Sequence, residues 1–149
     1  MASWLVSRVA QAATVAAAPG AARSVASTAA YQAVPSLTLY AASKAFLLSF
    51  SRGLRYELKG TSVSVSCLSP GATTTSFADR AGMGAELQAT ANKVSMTAEA
   101  VAATAVAGLL AGEAEIIPGV LNKVSAGLTS VVPKGLVEKI AAGIYEKYL

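Results

Sequence analysis

Leu39-Tyr40-Ala41-Ala42-Ser43-Lys44-Ala45-Phe46 is the stretch on which the reading of this chain turns. Tyr40 and Lys44 are four residues apart, a spacing that stacks a phenol and an ammonium on one face of a helix. A cation beside a phenol favours the phenolate and lowers the tyrosine from its usual pKa of about 10. A tyrosine tuned in this way becomes a usable proton donor or acceptor. Ser27, thirteen residues before Tyr40, offers a hydroxyl from a separate segment to polarise a carbonyl or carbinol oxygen. Taken alone, a Tyr-x-x-x-Lys pair is most often a half-buried aromatic beside a solvated charge. The surrounding sequence therefore has to carry the argument.

Working outward, Pro35-Ser36 opens a predicted helix that runs to about Lys59. Proline suits a first turn, Gly60 suits the position just past the end, and Lys59 complements the negative end of the helix dipole. Leu47, Leu48, Phe50, Leu54 and Leu58 supply its apolar face. Before it, Ala21 to Ser27 is a short strand candidate. After it, Ser62 to Leu68 alternates as Val-Ser-Val-Ser-Cys and predicts a second strand, ended by Pro70-Gly71. Cys67 lies in that alternation and reads as core filler rather than as a nucleophile. Thr73, Thr74, Thr75, Ser76 and Phe77 lead into a segment expected to be flexible, holding Gly82 and Gly84. Thr97 is the expected N-cap of a helix to about Leu110, with Val101, Ala105 and Leu109 inward. Ile116-Ile117 predicts a short last strand. Two amphipathic helical pieces follow, divided by Pro133, with Leu136, Ile140 and Ile144 opposite Lys134, Lys139 and Lys147.

The composition narrows the function classes. The chain has 149 residues, 54% of them hydrophobic and 13% charged, enough for one compact domain with a real core and against disorder. A net charge of +4 with scattered basic residues argues against a nucleic-acid surface. With no histidine and one cysteine, histidine-based triads, the usual zinc sets and internal disulfides are excluded. No apolar run reaches the roughly 18 residues of a membrane-spanning helix. Met1 to Ala18 is alanine-rich, carries Arg8 as its one charge, and predicts a helix ending at Pro19-Gly20.

Ser24-Val-Ala-Ser-Thr-Ala-Ala-Tyr31, then Tyr40-x-x-x-Lys44, then Ser66-Cys-Leu-Ser-Pro-Gly-Ala-Thr-Thr-Thr-Ser-Phe77 resemble the short-chain dehydrogenase/reductase family in order and spacing. The resemblance is specific from about Ser24 to Met83. It continues more loosely to Ile116-Ile-Pro-Gly-Val-Leu-Asn-Lys123, which is similar to the ending of some bacterial-type members. It implies an α/β fold, part of a doubly wound, Rossmann-like parallel sheet of two or three strands with flanking helices. It also implies NAD(P)-dependent interconversion of an alcohol and a ketone, on a small-molecule or lipid-like substrate. By the same resemblance, Ser27 bonds the substrate oxygen, Tyr40 is the general acid or base, and Lys44 tunes Tyr40 and binds the nicotinamide ribose. Pro70 and Gly71 form the wall beside the nicotinamide. Thr73 and Thr75 touch carboxamide and phosphate, with Thr75 the better match to Pro-Gly-x-x-x-Thr. Read from the residues alone, Ser27 is equally a loop hydroxyl bonding its own backbone, and threonines after Pro-Gly are ordinary turn composition.

The chain departs from the family pattern at its start. No Gly-x-x-x-Gly-x-Gly or Asn-Asn-Ala-Gly turn occurs in it, so the anion site of backbone amides that takes the cofactor pyrophosphate is absent from this sequence. The family's asparagine in the helix before the serine strand falls at or before Met1. The missing β-α units correspond to on the order of 100 residues at ~30 per unit. Cofactor binding by this chain alone is therefore expected to be weak. Residues 1–22 read as a remnant helix or as an Ala/Ser/Arg-rich organellar targeting segment, and 23–149 as the C-terminal half of the domain. Truncation is the favoured reading, with a cytoplasmic location and an organelle as the alternative. The rival function is a non-catalytic remnant that dimerises or docks onto an intact relative, since this family also packs its Tyr-x-x-x-Lys helix between subunits. Membrane contact through the C-terminal pieces is the least favoured reading.

Overall fold

The computed structural model describes residues 20–35, 37–80, 82 and 84–145. The predicted helix over Met1 to Ala18, and Lys147, lie outside the described residues. Strand β1 covers Ala21–Val25 and β2 covers Ser64–Leu68; they pair in parallel from Ala21 opposite Ser64 to Val25 opposite Leu68. β5, Glu115–Ile116, adds to the other side of β2 with Cys67 opposite Glu115 and Leu68 opposite Ile116. The result is a three-stranded parallel sheet in the order β1-β2-β5, the partial doubly wound α/β arrangement the sequence implies.

Helix α1, Thr38–Glu57, crosses over between β1 and β2 and buries Ala41, Leu48, Ser51 and Leu54. Leu48 packs with Ala26 and Cys67 into the tightest cluster of the core, flanked by Ala30, Tyr31 and Leu47. Cys67 is 1% exposed, core filler as expected. Two arginines on α1 hold the sheet from one side. Arg55 donates to the carbonyls of Val65 (2.5 Å) and Gly112 (2.9 Å), and Arg52 pairs with Glu115 at 2.6 Å. Burial raises the Glu115 carboxyl above its ordinary pKa. Inside the same contact, Ser51 donates to Leu47 O at 2.6 Å and lies 2.5 Å from Ser24 Oγ, so two buried hydroxyls satisfy each other.

Two expectations are corrected. The helix expected from Pro35-Ser36 begins at Thr38, because Leu37 N closes back onto Val34 O at 3.1 Å, where Val34 is buried. The segment after Pro70-Gly71, expected to be flexible, carries regular secondary structure in its described residues. β3 (Thr73–Thr74) pairs in parallel with β4 (Met96–Thr97), and helices α2 (Phe77–Arg80) and α3 (Ala85–Asn92) lie between them. That pairing depends on a partner far along the chain, which local composition does not show. The two C-terminal pieces divided by Pro133 are helices as expected, α5 (Val120–Val131) and α6 (Lys134–Tyr145). In α6 the inward residues are Val137 and Ala141, while Leu136 and Ile140 remain about half exposed. Helix α4, Ala98–Leu110, is capped as expected by Thr97, whose hydroxyl accepts from Ala100 N at 3.2 Å. Among the described residues no helix is long and apolar enough to cross a membrane.

Candidate active site

The C-terminal ends of β1 and β2 stay hydrogen-bonded beyond the strands, Ala26 N to Leu68 O at 2.8 Å and Thr28 N to Pro70 O at 2.9 Å. This ladder sets Ser27 beside the Pro70–Gly71 turn. A 3-10 helix, Thr28–Tyr31, starts at once, and the Ser27 hydroxyl caps it by accepting from Ala29 N at 3.2 Å. That acceptor bond leaves the Ser27 proton free to be donated elsewhere. Pro70 and Gly71 end the sheet because Pro70 brings no N–H to a ladder.

Tyr40 and Lys44 lie one turn apart on α1, as their spacing requires. The Lys44 ammonium donates to the Val25 carbonyl at 2.9 Å and sits 5.5 Å from the centre of the Tyr40 ring. It is thus anchored to β1 and placed over the phenol ring, a cation–π distance. Partial burial pushes the Lys44 pKa below its ordinary value, opposed by the Cys67 thiol. The Tyr40 ring also meets Phe77, with centroids 5.5 Å apart and the rings tilted by 45°.

All seven residues singled out from sequence border one cavity of about 450 Å³: Ser27, Tyr40, Lys44, Pro70, Gly71, Thr73 and Thr75. The threonine hydroxyls are engaged locally. Thr73 donates to Gly71 O at 3.1 Å, and Thr75 accepts from Phe77 N at 3.3 Å. The cavity also has walls that sequence reasoning did not assign. Tyr31 and Leu37 close it near α1, Gln88, Ala91 and Asn92 come from α3, and Asn122, Ser125, Ala126 and Thr129 of α5 form a roof. The Tyr31 hydroxyl is buried without a hydrogen-bond partner among the described residues. Nothing in the spacing of Tyr31 or the α3 residues marks them. Asn122 had a signal, since it falls four residues after Pro118 inside Ile116-Ile-Pro-Gly-Val-Leu-Asn-Lys123. Among the described residues, Lys44 is the one charged residue in the lining.

Comparison with known proteins follows from this geometry. Residues 2–86 match the model of the family described as short chain dehydrogenase. Among solved structures, a short-chain dehydrogenase from Sphingobium yanoikuyae in complex with NADPH is 26% identical with a TM-score of 0.61, over 89% of this chain and 52% of that one. A structure described for 7beta-hydroxysteroid dehydrogenase stereoselectivity is 26% identical with a TM-score of 0.67, over 83% and 48%. A short chain dehydrogenase from Burkholderia cenocepacia J2315 in complex with NADP, 22% identical with a TM-score of 0.60 over 87% and 49%, shares the fold. Among curated proteins, none matches the chain. The chain spans about half the length of the structures it resembles. The family model covers more than half of the 149 residues, and the chain belongs to the short-chain dehydrogenase family.

Proposed function

We propose that this chain carries the substrate side of an NAD(P)-dependent oxidoreductase site that interconverts an alcohol and a ketone. The observation behind this reading is the convergence of Ser27, Tyr40 and Lys44 with the Pro70–Thr75 wall on one cavity. The lining fits a nicotinamide nucleotide. Lys44 supplies a fixed cation for ribose hydroxyls, and the neutral polar groups of Thr73 and Thr75 suit a carboxamide. NAD(P)(H), when bound, supplies or takes up the hydride. Tyr40 then gives its phenolic proton to the carbonyl oxygen in reduction and recovers it in oxidation. Lys44, held by Val25 O, keeps its ammonium 5.5 Å from the centre of the Tyr40 ring. Ser27, with its proton uncommitted, donates to the substrate oxygen and orients it. Among the described lining residues Lys44 is the sole charge and is committed to this machinery, so what this part of the site offers a substrate is neutral polar and apolar surface.

NMR titration of the full chain with NADPH and with reduced nicotinamide mononucleotide tests the reading. Both are expected to shift signals of Tyr40, Lys44 and Thr75, weakly and to similar extents, because the chain has no glycine-rich turn to hold the second phosphate. No response from these residues to either nucleotide would overturn it.

A second reading has an observation of its own. Leu39 and Tyr56 are 86% and 79% exposed on α1, and Phe46, 56% exposed, stacks on Phe50 at 5.9 Å. This apolar face fits a non-catalytic chain that dimerises or docks onto an intact relative. Sedimentation of the wild type and Phe46→Glu discriminates: a monomer at all concentrations removes this reading.

A further inference from the structure

The Pro70–Gly71 turn and the first turn of α5 meet through one side chain that the proposed chemistry leaves unassigned. Asn122 borders the cavity and donates from Nδ2 to Pro118 O at 2.7 Å. A methyl group built on Gly71 would run into its carboxamide, 2.6 Å from Nδ2 and 2.7 Å from Cγ. The amide therefore fills the space that any side chain at position 71 would need. Gly71 does not have a positive φ, so glycine is required here for room, not for backbone freedom. On the opposite side, a methyl on Gly119 would lie 3.2 Å from Asn122 Nδ2 and 2.9 Å from Met96 Sδ, at a φ of +87° that favours glycine in any case. Two separate turns thus use glycine to seat a single carboxamide.

The turn it touches is a junction. Thr28 N holds Pro70 O, Thr73 Oγ1 donates to Gly71 O, and Met96 N donates to Ala72 O at 3.0 Å. Any shift of Gly71 is passed to Thr73 and to the β3–β4 pair. We propose that Asn122 is a positioning residue, latching the Pro70–Gly71 turn to α5 and so fixing the spacing between the Thr73–Thr75 wall and the roof formed by Ser125, Ala126 and Thr129. The inference rests on reading this cavity as the alcohol/ketone site. In that site the spacing decides how far a substrate can enter towards Ser27 and Tyr40.

The latch is tested on the full chain without turnover. Gly71→Ala is expected to lower Tm by several degrees and to shift the amide signals of Thr73, Thr75 and Ser125. Asn122→Ala is expected to shift the same signals at temperatures far below its Tm. Combining the two should recover most of the Tm lost by Gly71→Ala, because the new methyl then occupies the vacated space. If Gly71→Ala alone does not fold, a folded double variant is the same result in stronger form. Asn122→Asp, which keeps the shape but loses the donor to Pro118, should shift those amides too. Additive losses in the cycle, or unchanged Thr73 and Ser125 signals in Asn122→Ala, would overturn the proposal. A non-additive cycle in a chain that ignores nicotinamide nucleotides would leave the latch standing and remove the functional reading instead.

Discussion

Lys44 is half-buried, and its ammonium is tied to Val25 O. Its pKa is lowered chiefly by lost hydration, so the folded chain binds this proton less tightly than the unfolded chain does. The contribution of Lys44 to stability is therefore complete above the ordinary lysine pKa of about 10.4 and declines as pH falls through the folded value. The same shift has a chemical readout. At about pH 9, where ordinary lysines are mostly protonated, Lys44 should hold a larger neutral fraction in the folded chain than in the unfolded one and be acylated faster per exposed nitrogen. Peptide mass spectrometry after brief treatment with an anhydride measures this, and equal or slower modification after unfolding is the companion result. Tyr40 calls for a different experiment. Tyr40→Phe keeps the ring against Phe77 and removes the proton-bearing atom. Turnover, by the chain or by the chain with a complementing cofactor-binding fragment, is expected to fall at least about 10²-fold with cofactor affinity retained. Lys44→Ala should damage rate and affinity together. Ser27→Ala should do less harm, since a water can replace one donor. Near-normal turnover in Tyr40→Phe would make the pair structural.

Among the elements, what could be read from sequence was what is local. The Thr97 cap needs its own helix and nothing else, and the structure has it. The strand around Cys67 alternates, and it was found within two residues of its start. The start of α1 misled because Pro35 suits a first turn in general, whereas here Val34 is buried and Leu37 N bonds back to its carbonyl before the helix starts. β3 and β4 were illegible because two-residue strands carry no pattern and each exists through the other. The arginine clamp also lay outside sequence reasoning, because its acceptors are backbone carbonyls of distant segments. Arg55→Leu removes two charge-assisted bonds to Val65 and Gly112 and is expected to cost about 1–3 kcal/mol in urea unfolding. Helix α5 is apolar on two sides. With 3.6 residues per turn, Leu121, Val124, Leu128 and Val131 fall opposite the buried Ala126 and Thr129, and all four are more than half exposed. Val124→Glu with Leu128→Glu should accordingly raise solubility and reduce binding of a hydrophobic dye while leaving Tm nearly unchanged. A large loss of Tm would show that this side is packed in solution.

For the whole molecule, the α/β class was legible because a spaced set of motifs survives compression into a linear string, and the seven candidate residues those motifs single out border one cavity. The roof was not legible, since α5 reaches the cavity only through the tertiary path of the chain. The sheet has a further consequence in time. Every strand pair in β1-β2-β5 is parallel, so each joins segments separated by a crossover: α1 between β1 and β2, and the long excursion through α4 between β2 and β5. Parallel pairing cannot start from a tight hairpin, and the loop must close before any ladder bond rewards it. Among the described residues α1 is the longest element able to form from local bonds and then offer Leu48 and Leu54 as a surface for the strands. In pulse-labelling hydrogen exchange during refolding, α1 amides should gain protection before those of Val65 and Cys67, and the two-residue β5 should close last.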